Sequence, residues 1–122
     1  MDIIDDAWKV VQSHINSSGK TVLGHFPLPG ETFESYIEKA IRKKASYFDM
    51  GSLWDDIKKA GKDPWELNKR FLDTIISTGD DVLLNVPKSK IRPRSYLKQE
   101  IDHLLNNGYK WVNQWSLKKS CK

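Results

Sequence analysis

Cysteine is almost missing: the 122-residue chain has one, Cys121. No disulfide can form within the chain and no thiolate metal site can be assembled, so Cys121 is expected to be an exposed thiol. The three histidines, His14, His25 and His103, have no metal-ligand spacing, and no metal is expected. No apolar run approaches the ~20 residues a membrane span needs, and no membrane association is expected. The start, MDIIDDAWKVV, is acidic and lacks the basic opening and apolar stretch of a signal peptide. The expectation is a chain without an address of its own, either cytoplasmic or a piece of something larger. There is no internal repeat or low-complexity segment. GxGxxG after a strand, a P-loop and a nucleophile elbow are all absent, and with them support for the cofactor folds and serine-triad chemistry they mark.

What is present fits a globular protein: 39% hydrophobic and 30% charged residues. At this length one domain is expected, burying roughly two-thirds of its unfolded surface. The net charge of +4 suits an anionic partner, whether nucleic acid, nucleotide or acidic protein, without choosing among them. Five tryptophans are many for so short a chain.

Periodicity predicts the elements. Ile3, Ile4, Ala7, Trp8, Val11 and Ile15 mark a helix over 2–17. Lys20–Phe26 reads as a buried strand broken by Pro27-Leu28-Pro29-Gly30. Phe33, Tyr36, Ile37, Ala40 and Ile41 mark a second helix, Ser46–Met50 a weak strand, and Leu53, Trp54 and Ile57 a short helix. Asp63-Pro64 opens a longer helix with the face Leu67, Asn68, Phe71, Leu72, Ile75 and Ile76, ended by Gly79. Asp80–Val86 is a strand. Ser95 caps a helix with Leu97, Ile101, Leu104 and Leu105 on its apolar face. Tyr109–Leu117 alternates as a last strand. The fold class is therefore α/β: a small parallel or mixed sheet of about four strands with flanking helices and an N-terminal helix. Residues 1–19 are expected to form that helix and a linker, 20–117 the single domain, and 118–122 a polar tail.

The chain is organised around Asn85–Leu105, where Lys88, Lys90, Arg92, Arg94 and Lys98 precede the acid Glu100. In a parallel sheet, strand C-termini and the N-termini of following helices share the edge where ligands bind. That rule brings together His25, Trp65, the cationic loop, Ser95, Tyr96 and Glu100. Each also has an ordinary explanation: Trp65 as a staple on the core, Ser95 as an N-cap, His25 as a loop residue, Glu100 as a solvated acid. As a site, a lone carboxylate with aromatic and basic company suits N-glycosidic cleavage. Glu100 would then stabilise the developing cation, Trp65 stack the base, and the cations hold a pyrophosphate. It equally suits a ribonuclease with His25 and Glu100 as base and acid. A non-enzymatic module with a basic groove is the third option.

The ordered pattern TVLGHFP, YIEKA, ELNKRFLD, GDDVLL, RSY, E-I-xx-LL and GY, covering roughly Lys20 to Trp111, resembles a C-terminal domain of bacterial polymorphic toxins. These are the Rhs-type and contact-dependent inhibition proteins. Where that pattern has Gly before the Ser, this chain has Arg94. The resemblance implies an antibacterial effector delivered as part of a larger secreted protein and acting in the target-cell cytoplasm, with a cognate immunity protein as partner. The segment PWELNKRFLDTIISTGDDVLLNVPKSKIRPRSYLKQE is also similar in layout to the ADP-ribosyl cyclase/NAD glycohydrolase family, although the family's disulfides and N-terminal acidic loop have no counterpart here. That similarity implies Trp65 as the nicotinamide-stacking residue, Ser95 and Tyr96 as the hydroxyl-aromatic pair and Glu100 as the catalytic acid. Lys88, Lys90, Arg92 and Arg94 are the expected substrate-binding cations, with NAD as a substrate rather than a resident cofactor. RNA remains the alternative substrate.

Overall fold

The computed structural model of the chain describes residues 3–25 and 27–120. Cys121, Phe26 and the first residues of the expected N-terminal helix lie outside them. The element order is α1 (Ile3–Gln12), β1 (Lys20–Leu23), α2 (Tyr36–Lys43), α3 (Leu53–Lys59), α4 (Trp65–Thr78), β2 (Asp81–Leu84), α5 (Tyr96–Asn106), β3 (Tyr109–Asn113) and β4 (Ser116–Lys119), with a 3-10 turn at Lys88–Lys90. The four strands form one mixed sheet in the order β1-β2-β4-β3. Strands β1 and β2 are parallel, with Leu23 opposite Leu84, and β4 runs antiparallel to both β2 and β3. The α/β class and the N-terminal helix are as the periodicity implies.

Two strands differ from expectation. Tyr109–Leu117 is not one strand but a hairpin. The strand it pairs with, β2, is only four residues long, so a nine-residue strand would outrun it. The chain reverses at Asn113, whose side-chain Oδ1 accepts the Trp115 N–H at 2.7 Å and the Ser116 hydroxyl at 3.2 Å. This is an Asx turn, which the residue chemistry favours. Strand β4 then enters between β2 and β3 and extends to Lys119, into the segment read as a polar tail. Ser46–Met50 forms no strand. Ser46 makes one parallel bridge to Thr21, after which the Tyr47 N–H turns to the His14 carbonyl and the Phe48 carbonyl takes the Tyr36 hydroxyl. Those bonds draw the segment off the sheet.

Helix α2 begins later than expected because Ser35 and Glu38 form the start of a capping box, with the Ser35 hydroxyl accepting the Glu38 N–H at 3.2 Å. Phe33 therefore precedes the helix, and Ile41 lies on its exposed side. Helix α4 starts one residue later than its sequence suggests, with Pro64 rather than Asp63 at the cap position; the Asp63 carboxylate still accepts the Trp65 N–H, and Gly79 closes the helix in the left-handed conformation as expected.

One face of the sheet carries the main core. Leu23, Val82, Leu84, Tyr109 and Leu117 pack there with Ile4, Ala7 and Val11 of α1, Ile57 of α3, Leu67, Phe71, Leu72 and Ile75 of α4, and Leu97, Ile101 and Leu104 of α5. A smaller cluster of Val22, Ala40 and Ala45 seats α2 against the opposite face. Leu105, expected on the apolar face of α5, is exposed. Among the described residues no helix is long and apolar enough to cross a membrane.

Candidate functional site

The parallel pair β1 and β2 ends at one edge, where the strand termini, the loop before α5 and the α5 N-terminus meet. A cavity of about 910 Å³ opens there, at the upper end of the ~300–1,000 Å³ usual for small-molecule sites. His25, Arg92, Arg94, Ser95, Tyr96 and Glu100 all line it. Trp65, Lys88 and Lys90 do not. Trp65 stands one ring behind, stacked on Tyr96 with centroids 6.4 Å apart and edge-on to His103. Lys88 points over Trp111, its Nζ 4.9 Å from the ring centre. It thereby belongs to a separate depression with Ser89, Asn113 and Gln114. Facing the cavity instead of Trp65 is Trp54 of α3, packed edge-on against Tyr96 at 5.0 Å.

The strand ends are tied together by a residue that no motif singles out. Asn85, just past β2, is buried; its Oδ1 accepts the His25 N–H at 3.0 Å, and its Nδ2 donates to the His25 carbonyl at 2.7 Å and the Glu34 carbonyl at 2.8 Å. With carbonyls on one side and an N–H on the other, the amide orientation is fixed by its partners. Gly24 is required for this arrangement, because a Cβ at that position would sit 1.8 Å from Asn85 Oδ1. Gly24→Ala is accordingly expected to displace the amide and cost ~1–3 kcal/mol, as overpacking does. Denaturant unfolding checks this, and an unchanged midpoint would refute the close approach.

His25 is buried and acts as a latch on the cationic loop. Its Nε2 accepts the Arg92 backbone N–H at 3.2 Å. Burial and then the Arg92 charge lower its pKa, against a smaller opposing effect of Glu31, so the ring is neutral with its proton on Nδ1. The Arg92 guanidinium pairs with Glu31 at 3.0 Å on the surface, an exposed contact that a phosphate can displace. Ser95 caps α5 by accepting the Lys98 N–H, and its hydroxyl donates to the Arg92 carbonyl at 2.7 Å. His25 and Ser95 thus hold the Arg92 backbone at both its N–H and its carbonyl, in a loop from which Arg92 and Arg94 line the cavity.

Glu100 lies on the inner side of α5 and is only 6% exposed. Burial pushes its carboxyl up to about 8, with a side-chain hydrogen bond from Asn68 acting in the opposite direction. Asn68, on α4, also lines the cavity and is buried. Tyr36 completes this part of the wall: its hydroxyl donates to the Phe48 carbonyl at 2.6 Å, and burial followed by the Glu100 charge raises its pKa. Among the described residues no cluster of His, Cys, Asp and Glu is arranged to hold a metal. No protein-family model, curated protein or solved structure matches the chain, so the assignment rests on the chemistry of the site.

Asn68 left a trace in the sequence, as an amide inside an otherwise apolar helical stripe. Trp54 and Tyr36 were legible only as apolar-face residues of two helices, without any indication that they border a cavity. Asn85 left no such trace, since its role depends on Gly24 standing beside it on a parallel neighbour.

Proposed function

We propose that this domain cleaves the N-glycosidic bond of NAD, as a toxin effector acting in the cytoplasm of a target cell. The observation that carries the reading is Glu100, an acid held in the wall of a cavity where burial opposes its charge. A carboxylate so placed regains its charge when a cation arrives beside it. NAD brings one in its pyridinium ring, and that positive charge passes to the ribose as the bond breaks. The rest of the cavity matches the remaining parts of such a substrate. Trp54 and Tyr96 offer aromatic surface, and Arg92 and Arg94 stand at the rim for a pyrophosphate.

In the proposed reaction the C1′–N bond breaks heterolytically and its electron pair neutralises the pyridinium, releasing nicotinamide. Ionised Glu100 stabilises the cationic ribose through that step. Water then adds to C1′ and loses a proton, giving ADP-ribose. His25 serves here as a positioning residue, since its Nε2 already accepts the Arg92 N–H. This engagement counts against the ribonuclease reading, which needs His25 as the base. The resemblance to polymorphic toxin domains supports the biological setting, including an immunity protein that neutralises the activity.

Incubating the purified domain with NAD and following nicotinamide and ADP-ribose by chromatography, with RNA integrity monitored in parallel, tests the proposal. Intact NAD alongside degraded RNA would favour the ribonuclease instead. Arg94→Ala is expected to raise KM about tenfold with little change in kcat, because a phosphate contact on a part of the substrate that does not react binds ground and transition states alike. A loss confined to kcat would place Arg94 in the chemistry rather than in binding.

A further inference from the structure

Asn68 is 2% exposed and lines the cavity, yet its Oδ1 has no hydrogen-bond partner. The amide stands beside Glu100 and favours the charged form of its carboxyl, which is the effect of its N–H end. The carbonyl end is the buried atom left without a partner. The Tyr36 hydroxyl, which lines the same cavity, gives its proton to the Phe48 carbonyl instead. Burying an acceptor without a partner is unfavourable, and natural interiors contain few such atoms. An apolar side chain here would continue the stripe of Leu67, Phe71 and Leu72 without that penalty.

From this arrangement the geometry points to Asn68 as a specificity-determining residue: its Oδ1 accepts an N–H from the ligand, selecting a pyridine ring that carries a primary carboxamide over one that carries only a carbonyl. The inference rests on the NAD reading of the cavity and adds a ligand contact that the resemblance does not assign. Asn68 and Glu100 together present an acceptor and an anion to the ligand. A ring with N–H donors and positive charge satisfies both, whereas an analogue with no donor leaves Oδ1 as it is in the free protein. Discrimination of this kind is effective because the analogue cannot repair the unpaired group.

The test compares NAD with its 3-acetylpyridine analogue, which keeps the ring charge and the carbonyl but has a methyl in place of the amide nitrogen. Wild-type protein is expected to favour NAD in kcat/KM by about tenfold to a hundredfold, the worth of one buried hydrogen bond. Asn68→Leu should reduce that preference toward unity, lowering NAD by the larger factor, while the lost support for ionised Glu100 slows both dinucleotides. A purely structural role would lower both substrates in parallel, and that result would overturn the assignment. Equal handling of the two dinucleotides by the wild type would also overturn it, with no variant needed. If the wild type consumes neither dinucleotide, the NAD reading falls and this assignment falls with it. If NAD is consumed and the preference survives Asn68→Leu, the assignment alone is overturned.

Discussion

Glu100→Gln is expected to abolish NAD cleavage and, at alkaline pH, to make the protein more stable. The two effects have one cause. Burial raises the Glu100 carboxyl to about 8, well above its value in an unfolded chain. Between those values the folded protein holds a proton that the unfolded chain has released, so folding becomes less favourable as pH rises. The contribution of this group is fully present below the unfolded pKa and is lost as pH climbs through about 8. Gln keeps the shape and does not titrate. The stability difference between variant and wild type should therefore widen from pH 5 upward and level off above pH 8–9, reaching on the order of a few kcal/mol. Thermal melts at pH 5, 7 and 9 measure it directly.

The same substitution removes the charge that stabilises the ribose cation, with an expected rate loss of ~10²-fold or more. The wild-type pH profile adds a directional check. Because the ionised form is the working one, kcat/KM should rise with pH through an apparent pKa near 8, the value in the free protein. The profile of kcat should rise at lower pH, since the bound pyridinium favours the carboxylate. A falling limb in that range would mark Glu100 as a general acid instead. A Gln variant that is folded and fully active, or less stable than wild type at pH 9, would refute the account of this residue.

How far the site can be read without coordinates follows from what each residue's role depends on. Ser95 and Gly79 act through the backbone a few positions away, so their neighbours in the chain are enough to identify them. His25, Arg92, Ser95, Tyr96 and Glu100 share an edge because β1 and β2 are parallel, and alternating strands and helices already suggest that arrangement. Trp65 has the right position on the chain, but the Tyr96 ring stands between it and the cavity. Trp54, from a short helix with a weak pattern, faces the cavity instead. The run Tyr109–Leu117 alternates well enough for a strand, yet nothing in that alternation records the Asx bond that folds it back. Lys88 and Lys90 belong to the same cationic run as Arg92, and the 3-10 turn between them sends Lys88 towards Trp111. Charge clustering along a chain does not specify the direction in which each side chain points.

Asn85→Ala should show how much of the site depends on one amide. Alanine here removes three hydrogen bonds at once, two of them buried and the third part-buried, and leaves the His25 N–H, the His25 carbonyl and the Glu34 carbonyl without these partners. Leaving a buried polar group unsatisfied costs ~1–3 kcal/mol. Even with some water entering the space, a loss of about 3 kcal/mol or more is expected, a large part of a typical domain's stability. The damage should also reach the site. Without the Asn85 side chain, only the backbone bond from the residue-85 N–H to the Leu23 carbonyl ties this end of β1 to β2, so the His25 latch on the Arg92 N–H loosens. Rim arginines that are less well aimed should raise KM beyond the effect of Arg94→Ala, even under conditions where the variant remains folded. Asn85→Asp separates the two contributions: its carboxylate can still accept the His25 N–H but cannot donate to either carbonyl. It should therefore be destabilised as well, and at neutral pH its charge would face those two carbonyls. If Asn85→Ala unfolds at the wild-type denaturant midpoint, the three bonds are not holding the strand ends together, and the rigidity of this cavity must come from the packing of α4 and α5 alone.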